Sequence, residues 1–182
     1  MKVITTNIAG ILLLKPDVYK DQRGFFIETY TEEKYLQEGI EKRFVQDNYS
    51  HSKRNVLRGL HYQLKKPQGK LVRVVKGAVF DVALDIRLSS PTFGCYFSTI
   101  LDDQDFHQLY LPPGIAHGFF VISETADFEY KCTDYYNPGD EGGILWNDPD
   151  LDIKWPVKNP ILSPSDQSFP CLSAIAREEL PG

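Results

Sequence analysis

The chain has 182 residues, 42% of them hydrophobic, and a formal charge of −5. That is enough apolar material for one continuous core. The negative balance excludes a sequence-independent nucleic-acid binder and a polybasic membrane-surface protein, because both need a dominant positive field, so an anionic ligand must be held by local arginines and lysines.

Near the amino terminus, the apolar run from Ile11 to Leu14 is too brief for a signal-peptide core or a membrane span, which predicts no membrane partner and a cytoplasmic location. "DQRGFFIETY" then brings Arg23, Phe26 and Glu28, which taken singly read as loop or edge residues. "TEEKYLQEGI" predicts a short surface helix, with Thr31 as N-cap, Glu32 and Glu33 in the first turn and Gly39 as terminator. "QDNYS" follows with Gln46, Asp47 and Asn48. In "NVLRGLHYQ", alternation sets Val56, Arg58, Leu60 and Tyr62 against Leu57, Gly59, His61 and Gln63, so neither face is simply apolar. A bulge or close backbone approach at Gly59 turns Arg58 and His61 toward the interior and makes a polar pocket. Without it, Arg58 is solvated and His61 is a satisfied core histidine.

"QGKLVRV" puts Lys70 at a strand start after a Pro-Gln-Gly turn, where an inward ammonium serves an anion and an outward one snorkels to water. "KLVRVVKGAVFDVALDIR" reads as a hairpin broken at Lys76-Gly77, with Phe80, Val82, Leu84 and Ile86 as its buried face. "FGCYFSTILDD", "HQLYLPPGIAHGFFVIS" and "ADFEYKCTDYY" continue the strands, and the last gives Tyr130 and Tyr136 the parity of Phe128 and Cys132. Residues from about 147 to 182 are rich in proline and aspartate and are expected to wrap the outside of a single domain covering 1–182. Many short strands at close spacing, with 13% aromatics, 12 prolines and 13 glycines, predict an antiparallel sandwich or barrel able to surround a small ligand.

No GxGxxG, Walker loop, GxSxG or HExxH occurs, so phosphate-cradle, hydrolase and metalloprotease readings have no support. Cys95, Cys132 and Cys171 are odd in number and widely spaced, which predicts buried reduced thiols over disulfides or zinc. His61 is followed by Tyr62 and Gln63 where a His-x-His pair is wanted, and His51, His107 and His117 lie on scattered segments. A metal is therefore disfavoured, although His117 can still meet His61 in space.

The stretches "RGFF-I-E", "QDN-S", "LRGLH-Q", "QGKLVRV", "PPG-AHGF", "Y-C-T--Y", "WNDP", "I-WP" and "LS--D" occur in that order, from about Val3 to Asp166. This series resembles the dTDP-4-dehydrorhamnose 3,5-epimerase family. The resemblance implies a mainly β fold, a cupin-type jelly-roll barrel with a few short surface helices, a homodimer, and no metal or organic cofactor. It implies cofactor-independent epimerisation of the dTDP-sugar substrate dTDP-4-dehydro-6-deoxy-D-glucose at carbons 3 and 5, through an enolate, to dTDP-4-dehydro-L-rhamnose. By resemblance, His61 is the base, Asp166 holds its other ring nitrogen, Lys70 stabilises the enolate oxygen and Tyr130 delivers a proton to the opposite face. Arg23 and Arg58 resemble diphosphate or nucleotide contacts, and Glu28, Gln46, Asp47 and Asn48 fall in thymidine-binding segments. Tyr136 is implied to stack on thymine and Phe26 to contact it across the dimer, while His117 and Glu141 complete the substrate lining. One departure is Ser165, where members often carry a lysine.

Two other readings compete. One is an enzyme on the same scaffold that inverts a single carbon or acts as a 3,4-ketoisomerase; the other is a non-catalytic sugar-nucleotide-binding cupin. The joint presence of His61, Asp166, Lys70 and Tyr130 favours the epimerase, because binding alone needs no proton-transfer set.

Overall fold

Strands dominate the computed structural model, which describes residues 1–181. In chain order they are β1 (Lys2–Thr5), β2 (Leu12–Lys15), β3 (Val18–Asp21), β4 (Gly24–Ile27), β5 (Gln46–Lys53), β6 (Leu57–Gln63) and β7 (Lys70–Lys76). They continue with β8 (Ala78–Asp85), β9 (Tyr96–Asp102), β10 (Gln108–Leu111), β11 (Ile115–Val121), β12 (Thr125–Cys132) and β13 (Glu141–Gly143). Two short helices accompany them, α1 (Glu32–Gln37) and α2 (Pro164–Ser168). One sheet has the order β1-β2-β10-β7-β12-β5, the other β13-β6-β11-β8-β9, and β3 and β4 form a separate hairpin.

From β5 to β8, and again from β10 to β13, successive strands cross between the two sheets, which is the winding of a cupin-like jelly roll. This corrects the hairpin expected from "KLVRVVKGAVFDVALDIR". β7 pairs with β10 and β12, whereas β8 pairs with β11 and β9. Gly77, at a φ of 82°, turns the chain from one layer to the other. Hydrophobic alternation gives the strands but carries no information about which partner each one takes.

The expected face is buried, with Val82, Leu84 and Ile86 at 0% exposure, but it packs outside the barrel. Phe80, Val82 and Leu84 face outward, where Leu172, Ile175, Leu180 and Trp155 of the carboxy-terminal segment cover them. The other face of β8, carrying Val79, Asp81 and Ala83, lines the interior with Val72, Val74, Phe119 and Phe128. Each fully buried side chain of this size contributes about 1.5–3 kcal/mol. The polar Asp81 is thus carried into the barrel by the face that looked less apolar.

Helix α1 starts at Thr31, whose side chain makes no capping bond, and the chain leaves it through Gly39 at a φ of 86°. The helix buries Tyr35 against Leu14, Leu71 and Tyr110 on the outer face of the first sheet. The Tyr35 hydroxyl donates to Gln108 Oε1 at 2.6 Å, and burial pushes its pKa up to about 12. Of the thiols, Cys132 is buried, Cys171 half-buried and Cys95 exposed, so the expectation of buried thiols fails for Cys95, which lies just ahead of the edge strand β9. No helix among the described residues is long and apolar enough to cross a membrane.

Candidate active site

The site is set by an irregularity where β6 meets β11. His117 lies opposite His61, yet Phe119 lies opposite Arg58, so β6 runs from 61 to 58 while β11 runs only from 117 to 119. The extra residue is absorbed at Gly59, which has a φ of 129°. A Cβ there would stand 2.5 Å from the Gly118 Cα, and a Cβ on Gly118 would stand 2.7 Å from the Arg58 carbonyl oxygen. Both glycines are needed for the two backbones to touch. The bulge breaks the alternation, and Arg58 and His61 both reach the interior.

Two adjoining chambers result, of about 330 and 150 Å³, and His61, Lys70 and Tyr130 line both. Gln46, Asn48, Tyr136 and Glu141 line the larger one, and Ser50, Arg58 and His117 the smaller. Lys70 opens β7 between Leu111 and Cys132, while Tyr130 lies between Asn48 and Val72. Pairing across the first sheet therefore puts the ammonium and the phenol on one face.

His61 Nε2–H donates to Asp166 Oδ1 at 2.6 Å, which leaves Nδ1 as the acceptor nitrogen. The Asp166 side chain is 3% exposed against 31% for His61, so the carboxylate is sealed behind an imidazole that reaches the cavity. Asp166 is fixed by the start of α2, where Pro164 occupies the first turn and Ser163 Oγ accepts from the Asp166 N–H at 3.1 Å. Burial opposes ionisation of Asp166, but the bond and charge of His61, with Ser163 and the Gly59 backbone, outweigh it and hold the carboxyl below its usual range. Phe169 packs edge-on against His61, with ring centroids 5.7 Å apart.

Burial pushes the Lys70 ammonium down, against the opposing pull of Cys132, Glu141 and Asp81. Burial pushes the Tyr130 phenol up, with Arg58 opposing, so it is protonated at neutral pH. His117 forms a second carboxylate-bound imidazole, its Nε2 lying 2.9 Å from Asp81 Oδ2, and it stacks on Phe128. Asp81 was not singled out in the sequence, although an aspartate inside "VFDVALD" is the kind of buried charge that signals a partner.

Other residues are not brought to these chambers. Arg23 is 86% exposed and paired with Asp21 at 2.6 Å, Phe26 is exposed beside it, and Glu28 is held by Lys34 at 2.6 Å. Asp47 points to the opposite face of β5, paired with Lys131 at 2.9 Å. Tyr136 does not share the β12 face as its parity suggested, because that strand ends at Cys132. It reaches the larger chamber from the following loop, its N–H donating to Gln46 Oε1 and its hydroxyl to Glu141 Oε2, each at 2.9 Å. Ser165 is exposed, with its Oγ 2.9 Å from that of Ser163.

Comparison with known proteins gives the family of the whole chain. The family model for dTDP-4-dehydrorhamnose 3,5-epimerase matches residues 5–174. The chain is 46% identical over 183 residues to the dTDP-4-dehydrorhamnose 3,5-epimerase of Escherichia coli, covering 99% of each. It is 50% identical over 167 residues to that of Neisseria gonorrhoeae, covering 91% of this chain and about half, 51%, of the relative. A crystal structure of the dTDP-6-deoxy-D-glucose-3,5-epimerase of Legionella pneumophila, in complex with dTDP-4-keto-L-rhamnose, superposes with a TM-score of 0.96 at 49% identity, covering 99% of this chain and 97% of that one. With matches of this length and identity around the same jelly roll, the chain belongs to the dTDP-4-dehydrorhamnose 3,5-epimerase family.

Proposed function

We propose that this protein epimerises dTDP-4-dehydro-6-deoxy-D-glucose at carbons 3 and 5 to give dTDP-4-dehydro-L-rhamnose. The observation that carries the reading is the juxtaposition of His61, backed by Asp166 at 2.6 Å, with Lys70 and Tyr130 around one cavity. His61 Nδ1 takes the proton from the carbon beside the ketone, and the C–H electron pair moves into the C4 carbonyl to form an enolate. Asp166 fixes the tautomer that leaves Nδ1 free and stabilises the imidazolium. Lys70 sits against the enolate oxygen, where a fixed cation in a water-poor barrel is strengthened by the low local dielectric. Tyr130 gives its proton to the opposite face of the carbon, and solvent then takes the proton from the His61 imidazolium and restores the phenol. Repeating the cycle at the second carbon completes the double inversion.

Arg58 is assigned to the diphosphate, where a guanidinium suits phosphate oxygens, and Tyr136 to stacking on thymine. Gln46, Asn48 and Glu141 line the path between them and the sugar, and His117 faces the sugar from β11. Arg23, Phe26 and Glu28 complete the thymidine end in a homodimer, each reaching the partner's cavity. The exposure of Tyr19, Phe25 and Phe26, at 63, 56 and 68%, supports a contact there. Sedimentation at twice the mass of the chain is the expected result, and a monomer at micromolar concentration contradicts it.

Replacing Tyr130 by phenylalanine tests the division of labour. The variant still exchanges substrate protons with solvent deuterium through His61, while formation of inverted product falls about 100-fold or more. Inverted product at the wild-type rate removes Tyr130 from the mechanism.

A further inference from the structure

Strand β5 presents Gln46, Asn48, Ser50 and Ser52 to the interior, opposite Cys132, Tyr130, Phe128 and Ala126 of β12. Three of the four have partners. Gln46 Nε2 donates to Asn48 Oδ1 at 2.9 Å, Asn48 Nδ2 donates to Cys132 Sγ at 3.5 Å, and Ser52 Oγ accepts from Arg58 Nε at 3.0 Å. The Ser50 hydroxyl is the exception: its Oγ is the one buried side-chain polar atom among the described residues without a hydrogen-bond partner. It lines the smaller chamber with Arg58, His61, Lys70 and Tyr130.

A buried hydroxyl left unpaired by the protein costs about 1–3 kcal/mol, which a methyl group at the same place avoids. Ser50 sits opposite Phe128, an apolar neighbour that an alanine would serve as well. The hydroxyl is therefore explained by what enters the chamber. We propose that Ser50 hydrogen-bonds a hydroxyl group of the substrate's sugar and so holds the ring for His61 and Tyr130. A serine can donate and accept at once, which matches a sugar hydroxyl, and the chamber it lines shares His61, Lys70 and Tyr130 with the larger one. This inference rests on the epimerase reading above.

The test compares wild type with Ser50→Ala in three measurements: kcat/KM for dTDP-4-dehydro-6-deoxy-D-glucose, Kd for dTDP, and Tm of the free protein. The expected result is a fall of about tenfold in kcat/KM, a dTDP affinity unchanged within about twofold, and a Tm equal to or above that of wild type. A parallel loss of dTDP affinity moves Ser50 to the diphosphate and overturns the sugar contact. An unchanged kcat/KM overturns it as well, and a lowered Tm makes Ser50 structural. If the wild type itself does not turn over this substrate, the epimerase reading fails and this inference falls with it.

Discussion

Replacing His61 by asparagine is expected to leave a folded protein that binds dTDP and lowers turnover by about 10³-fold or more, because it removes the only group assigned to take the proton. Asparagine keeps a polar donor near Asp166 and removes the basic nitrogen. The fold tolerates the change: His61 is partly exposed to the cavity, and the bulge that aims it belongs to Gly59 and Gly118. Kinetics and dTDP titration on one preparation check this. Substantial epimerisation by the variant removes His61 from its role, and loss of dTDP binding with activity shows that the substitution disturbed the site as a whole.

The second large effect is expected at Lys70. Methionine has a similar reach and no charge, so Lys70→Met deletes the cation while filling the space beside Leu111 and Cys132. The enolate oxygen carries full charge only near the transition state, so kcat falls by about 10²–10³-fold with a much smaller change in KM. Stability moves the other way. Burial already disfavours the Lys70 ammonium, and removing it leaves Tm unchanged or raised. A kcat within about threefold of wild type contradicts the assignment, because an oxyanion contact worth so little is not the main stabiliser.

Lys70, Ser50 and Arg58 are polar groups lining a chamber that would pack more easily without them. The anomaly in "NVLRGLHYQ" was legible: an arginine and a histidine of opposite parity about a glycine left two readings, a bulge or a solvated arginine beside a core histidine, and the register shift lies at Gly59. The strands and α1 were legible from alternation, turn residues and helix-end signals. Their assembly was not, since β7 and β8 each carry apolar residues on both faces and adjacency in sequence suggests a hairpin that the jelly roll does not use. The link between His61 and Asp166 spans 105 residues, a separation no local pattern encodes, and it came from resemblance alone. Parity misplaced Tyr136 because it was carried past the end of β12. Asp81 and Ser50 escaped notice for another reason: one aspartate or serine in a strand is unremarkable until its neighbours are known.

The most direct measurement is proton NMR of dTDP-4-dehydro-6-deoxy-D-glucose incubated with the protein in deuterium oxide. The account predicts deuterium entering at both carbon 3 and carbon 5, with inverted configuration at each, and none at either carbon with His61→Asn. Exchange confined to one carbon would make the protein a mono-epimerase or isomerase on the same scaffold, and no exchange despite tight binding of the sugar nucleotide would make it a binding protein.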